Sequence, residues 1–118
     1  MSTIGSLFTY GTLRKYKEPT HKLVGYRLFA FKGNFDFPYV VPATDSSVYG
    51  NIVETSPNQL KAFDSYEGVE RGFYIRTQVS VENIKTGRAE LCWVYEAGKL
   101  LDSVTTPAPI SSGDWFKQ

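Results

Sequence analysis

Apolar and polar positions alternate in short runs along this chain, and turn residues separate the runs. Residues 6–10, rich in β-branched and aromatic side chains, end at Gly11 and predict a first strand. Residues 23–31 predict a second, with Tyr26, Leu28 and Ala30 alternating against Arg27, Phe29 and Phe31. Residues 48–54 predict a third. The most regular alternation is at 73–82, with Phe73, Ile75, Thr77, Val79 and Val81 on the core face and Tyr74, Arg76, Gln78, Ser80 and Glu82 on the other. Residues 89–96 follow the Thr86-Gly87 turn and read as its hairpin partner. Further turn signals fall at Glu18-Pro19-Thr20, Lys32-Gly33-Asn34 and Asp45-Ser46-Ser47.

One helix is signalled between the third and fourth strands. Ser56 suits the N-cap, Pro57 the first helical position, and Gln59 completes a capping box. Leu60 and Phe63 form an apolar stripe, and Gly68 supplies a left-handed stop. One helix among five or more strands predicts an α+β domain, a small, mainly antiparallel barrel with the helix packed on it.

The 118 residues fit a single domain spanning 1–118. Eight Phe, eight Tyr and two Trp, with 42% hydrophobic residues overall, provide a core without staples. Thirteen basic residues face twelve acidic ones, a balance that speaks against a nucleic-acid partner. No apolar run approaches the ~20 residues that span a bilayer, and the first residues lack the pattern of a signal peptide, so a cytoplasmic protein away from membranes is expected. A single cysteine, Cys92, excludes an internal disulfide, and with the single histidine, His21, it gives no set of ligands for structural zinc.

These residue types narrow the chemistry. His21 lies in a polar stretch and reads as an exposed loop residue, and Cys92 reads as a packed, inert thiol on a strand. No P-loop or dinucleotide fingerprint is present. Carboxylate chemistry remains, and Glu67 is its candidate. At 100° per residue Glu67 lies about 20° from Leu60 and about 40° from Phe63, on the apolar stripe of the helix. Burial there and the negative helix end both disfavour its charged form and raise its pKa toward the range of a general acid/base. The alternative is a frayed helix end, with Glu67 turned to solvent or paired with Arg71 or Arg76. Tyr10-Gly11-Thr12-Leu13 is a second candidate. A strand ending in glycine can offer consecutive backbone N–H groups to a carboxylate, or simply turn into a loop. Tyr74 and Arg76 either line a pocket or face solvent, and Tyr95 either lines it or packs in the core.

In order along residues 7–115, these segments resemble the γ-glutamylcyclotransferase-like superfamily, especially its γ-glutamylamine cyclotransferase / AIG2-like branch. Residues 7–14 resemble the family's first strand and YGTL loop, Gly25-Tyr26-Arg27-Leu28 its second strand, and residues 37–42 its proline-containing segment. Val48-Tyr49-Gly50, Asp64-Ser65-Tyr66-Glu67-Gly68, Tyr74-x-Arg76 and Gly113-Asp114-Trp115 are similar to its later motifs. The resemblance implies a barrel of five or six strands, flanking helices, and a pocket between the YGTL-like loop and the helix end. It implies a γ-glutamyl amide as small-molecule substrate and no metal or cofactor. The substrate's own α-amine would attack its γ-carbonyl, releasing 5-oxoproline and an amine. Backbone amides of Tyr10, Gly11, Thr12 and Leu13 would hold the α-carboxylate, Glu67 would carry the proton, and Tyr74 would hydrogen-bond near the reacting group. Arg76 and Tyr95 are further pocket candidates. The stretch from Lys15 to Val24 is shorter than in many family members, so part of the expected wall is missing or rebuilt. The rival expectation is a metabolite-binding protein without turnover on the same fold.

Overall fold

Short-range signals set the helix. In the computed structural model, which describes residues 5–11, 14, 16–31, 37–99 and 108–117, α1 spans Pro57–Tyr66. The Ser56 hydroxyl accepts from the Gln59 N–H (3.2 Å), and the Gln59 side chain accepts from the Ser56 N–H (2.8 Å). That reciprocal box satisfies two of the amides left over at a helix start. Gly68 has φ 69°, and a Cβ placed there would lie 2.7 Å from a ring carbon of Phe73. Gly68→Ala is therefore expected to cost about 1–2 kcal/mol for the left-handed backbone alone, measurable by urea denaturation.

The strands are β1 (Ser6–Thr9), β2 (His21–Phe31), β3 (Phe37–Glu54), β4 (Tyr74–Asn83), β5 (Ala89–Ala97) and β6 (Ala108–Pro109). The first five close a barrel in the order β3-β1-β5-β4-β2, with β2 pairing again to β3 and β6 added along β2. Every pair is antiparallel except β1 with β5, so the sheet is mixed and mainly antiparallel, as expected. The β4–β5 hairpin forms where the sequence placed it, paired from Tyr74↔Ala97 to Glu82↔Ala89.

Two expectations are corrected here. Asp45-Ser46-Ser47 is not a turn between elements but lies inside the long strand β3. The register jumps from Val24↔Ser47 to Tyr26↔Pro42, so the intervening β3 residues bulge opposite Gly25, whose φ is 91°. Turn-type residues serve there to bend a strand rather than end it. Beyond the bulge, β2 and β3 continue as an arm, with β6 added along β2 at Phe29 and Ala30. His21 is not an exposed loop residue: it opens β2, is 8% exposed, and its Nε2 lies 2.8 Å from Glu90. A polar neighbourhood in sequence did not foresee that cross-barrel partner.

The apolar residues form two clusters. Phe8, Leu23, Leu28, Val40, Val48, Val81, Cys92 and Val94 fill the barrel. Leu7, Tyr39, Tyr74 and Tyr95 form a second layer, joined by Phe63, Phe73 and Trp93. Consecutive residues Leu7 and Phe8 are thus both buried because both faces of β1 are covered. The same second layer corrects the face expected for β4. Tyr74 is buried and Ile75 is 47% exposed, the reverse of the alternation taken as core-facing. Val79 and Val81, farther along the strand, do face the barrel core. No helix among the described residues is long and apolar enough to cross a membrane.

Candidate active site

The end of β1, the C-terminal end of α1 and the start of β4 meet at a cleft of about 700 Å³. Tyr10, Gly11, Glu67, Tyr74 and Tyr95 all line it. Of the remaining site residues expected from the sequence, Thr12 and Leu13 lie outside the described residues. Arg76 is not among the residues that line the cleft. Its Nε donates to Asp64 Oδ1 (2.8 Å) and its guanidinium lies 4.4 Å from the Trp93 ring centroid.

Glu67 caps α1. Its N–H donates to the Phe63 carbonyl (2.8 Å), and Gly68 then turns the chain away into a 3-10 turn at Val69–Arg71. Its carboxylate is half-buried, and among the described residues it has no hydrogen-bond or ion-pair partner. Arg76, one of the two cations that could have neutralised it, is held by Asp64. Desolvation therefore goes unopposed and lifts the Glu67 carboxyl from 4.5 to about 7. The open choice between a cleft-facing and a solvent-facing Glu67 resolves toward the cleft.

The three tyrosines around it are fixed as neutral donors. Tyr10 donates to the Tyr95 carbonyl (2.6 Å), Tyr74 to the Pro38 carbonyl (2.7 Å), and Tyr95 to Asp64 Oδ1 (2.7 Å). Burial is the main cause that holds all three phenols above their ordinary range, and the Glu67 charge adds to it. Their protons stay in place at neutral pH, which leaves Glu67 as the titrating group suited to the cleft. Burial also pushes the Cys92 thiol up to about 12, in keeping with a packed, inert cysteine.

The Tyr74 hydroxyl was expected near the reacting group. Its proton goes instead to Pro38, which with Phe37 forms the wall of the cleft contributed by the β2–β3 arm. Its oxygen can still accept a hydrogen bond. Gly11 fits against the same proline, since a Cβ at position 11 would lie 2.3 Å from Pro38 Cγ. Gly11→Val is thus expected to push the Pro38 wall outward and raise KM more than it lowers kcat, as steady-state kinetics would read. Sequence reasoning gave neither Pro38 nor Asp64 a role. Asp64 had a readable signal, because it stands three residues before Glu67 and a cation, Arg76, follows on the next strand. Pro38 had none, since its place at the cleft depends on a bend in β3. Among the described residues no three His, Cys, Asp or Glu side chains gather to hold a metal ion.

Known structures share this fold. A solution structure from Arabidopsis thaliana superimposes with a TM-score of 0.66 at 20% identity, covering 81% of this chain and 70% of that one. A structure described as a gamma-glutamyl cyclotransferase gives 0.65 at 17% identity, covering 91% and 70%. A mouse AIG2-like protein gives 0.60 at 21% identity, covering 81% and 78%. At such identities these show the fold. No curated protein matches the chain. Residues 7–117, nearly the whole chain, match the sequence profile of a family described as gamma-glutamyl cyclotransferase, AIG2-like. With the barrel, the helix and the glutamate-bearing cleft in place, that match shows that the chain belongs to the gamma-glutamyl cyclotransferase, AIG2-like family.

Proposed function

We propose that this protein is an enzyme that cyclises the γ-glutamyl group of a small γ-glutamyl amide, releasing 5-oxoproline and an amine. The observation that carries the reading is a half-buried glutamate without a partner among the described residues, facing a cleft at the end of β1. The loop that begins at Tyr10 and Gly11 receives the α-carboxylate on backbone amides. The substrate is held folded, so that its α-nitrogen lies against its own γ-carbonyl carbon. Holding reacting groups together in this way can supply several kcal/mol of the barrier.

Glu67 takes a proton from the α-ammonium, and the freed nitrogen attacks the γ-carbonyl carbon. A carbon–nitrogen bond forms in the ring, and the bond to the original amide nitrogen breaks. The ring nitrogen gives up two protons on the way from ammonium to lactam, and the departing nitrogen gains two to leave as an ammonium. Glu67 can carry both, because a group titrating near 7 accepts and returns protons at neutral pH with little bias. The nucleophile belongs to the substrate, so no Ser-His-Asp arrangement is required.

A panel of γ-glutamyl amides assayed for 5-oxoproline tests the proposal. Release from at least one member is expected. Tight binding of the panel with no release would favour a metabolite-binding protein instead.

The same carboxylate makes a prediction about stability. Folding raises the Glu67 pKa from 4.5 to about 7, so between those values the native state binds more protons than the unfolded chain. Its contribution is therefore most favourable below pH 4.5 and is lost as pH rises through 7. Glu67→Gln is expected to be more stable than the parent at pH 8, with the difference shrinking toward pH 4.5, in denaturation curves run across that range.

A further inference from the structure

We propose that Asp64 is a positioning residue, which locks the rotation of α1 so that the Glu67 carboxylate faces the cleft. The proposal builds on the role given to Glu67 above. Positions three apart on a helix share a side, so whatever fixes Asp64 also sets the direction of Glu67. One oxygen of Asp64, Oδ1, accepts from Arg76 Nε on β4 (2.8 Å) and from the Tyr95 hydroxyl on β5 (2.7 Å). Arg76 is itself held over Trp93, and the Tyr95 carbonyl accepts the Tyr10 hydroxyl from beyond the end of β1. A single carboxylate thus ties the helix to two strands and, through Tyr95, to the opposite side of the cleft.

Little else resists rolling of this helix. It has ten residues, and Leu60 is its one buried side chain. Phe63 adds a partly buried contact, whereas Tyr66 is 79% exposed. A ten-residue helix is marginal by itself and takes its orientation from its contacts. The groups lining the cleft around Glu67 are Tyr10 just after β1, Tyr74 and Tyr95 from the strands, Asp64 from α1, and Glu70 and Arg71 from the 3-10 turn. None of them bonds the Glu67 carboxylate among the described residues, so its direction comes from the helix that carries it.

The test compares Tyr95→Phe, Asp64→Ala and Asp64→Asn in the full chain. The Glu67 titration is followed by carboxyl carbon NMR, and kcat and KM are measured on any amide that turns over. In Asp64→Ala the Glu67 midpoint is expected to fall from about 7 toward ordinary carboxylate values as the side chain gains water. A misplacement of this kind costs about 10²-fold in kcat, with KM little changed. Asp64→Asn should recover most of that loss, because an amide oxygen can accept both bonds. Tyr95→Phe separates position from charge, since it deletes the hydroxyl's contacts with Asp64 Oδ1 (2.7 Å) and the Leu60 carbonyl (3.4 Å), both on α1, and keeps the Asp64–Arg76 pair. It also serves if Asp64→Ala does not fold, and it should move the midpoint in the same direction. A midpoint unmoved in Tyr95→Phe overturns the proposal, even if Asp64→Ala shifts, because the shift then comes from the unpaired Arg76. A parent protein that releases 5-oxoproline from nothing would sink the cyclotransferase reading alone, because the titration still decides what Asp64 does.

Discussion

Glu67→Gln is expected to lower kcat by about 10²–10⁴-fold while leaving substrate binding nearly intact. The amide has nearly the shape of the carboxylate and can still donate and accept hydrogen bonds, but it cannot take a proton from the attacking nitrogen. The loss should therefore appear in turnover, and a γ-glutamyl amide should still bind the variant in calorimetry. The pH dependence of the parent supplies an independent check. Burial lifts the Glu67 carboxyl to about 7, and the proposed reaction starts from its base form. Below that point kcat/KM should drop roughly tenfold for each unit of pH, a limb that reports the free enzyme. An acidic limb lying near 4.5 instead, or a Gln variant that turns over like the parent, would remove Glu67 from the chemistry.

The second large effect lies away from Glu67. Arg14 follows the loop at the end of β1, and Asp114 sits in the C-terminal segment. Their side chains are 0% and 3% exposed, and Arg14 NH1 donates to Asp114 Oδ1 at 2.6 Å. A second Arg14 nitrogen donates to the Lys17 carbonyl, and the guanidinium lies 4.9 Å from the Phe116 ring centroid. The Arg14 N–H also donates to the Gly11 carbonyl (3.0 Å). Asp114→Ala leaves a buried guanidinium without its counter-charge, which typically costs about 3–5 kcal/mol. Urea unfolding should show a lower midpoint with an unchanged slope. Replacing both partners by apolar residues, Arg14→Met with Asp114→Leu, should recover most of that loss, because a buried pair can often be exchanged for packing. An Asp114→Ala variant as stable as the parent would mean that the charge is not confined as described.

The difference in reach between these interactions explains what could be read in advance. The capping box of Ser56 and Gln59, the proline at position 57 and the glycine stop at 68 act within four residues, so composition and spacing locate both ends of α1. The β4–β5 hairpin is equally local. Glu67 was legible because helical periodicity places it beside Leu60 and Phe63, yet its surroundings were not. Whether a carboxylate on that stripe met water, Arg71 or Arg76 depended on Asp64 taking Arg76 first. The burial of Tyr74 was not legible for a related reason. A two-residue period tells which side chains share a face, but not that the second apolar cluster covers one face of β4 at its first residue while the barrel core covers the other face farther on.

What the sequence determined by itself is the set of elements with short-range instructions: the capped helix, the alternating hairpin, the glycine-terminated first strand, and one carboxylate in phase with apolar neighbours. The tertiary structure alone decided closure of the barrel, the bulge that makes an arm of β2 and β3, and the burial of His21 against Glu90. It also decided the pairing of Arg14 with Asp114 and the wall that Pro38 gives the cleft. Each of these joins residues far apart in the chain, and a side chain's solvation is fixed by whatever packs against it. The raised pKa of Glu67 is such a property: the chain supplies the carboxyl group, and the fold takes away part of its water.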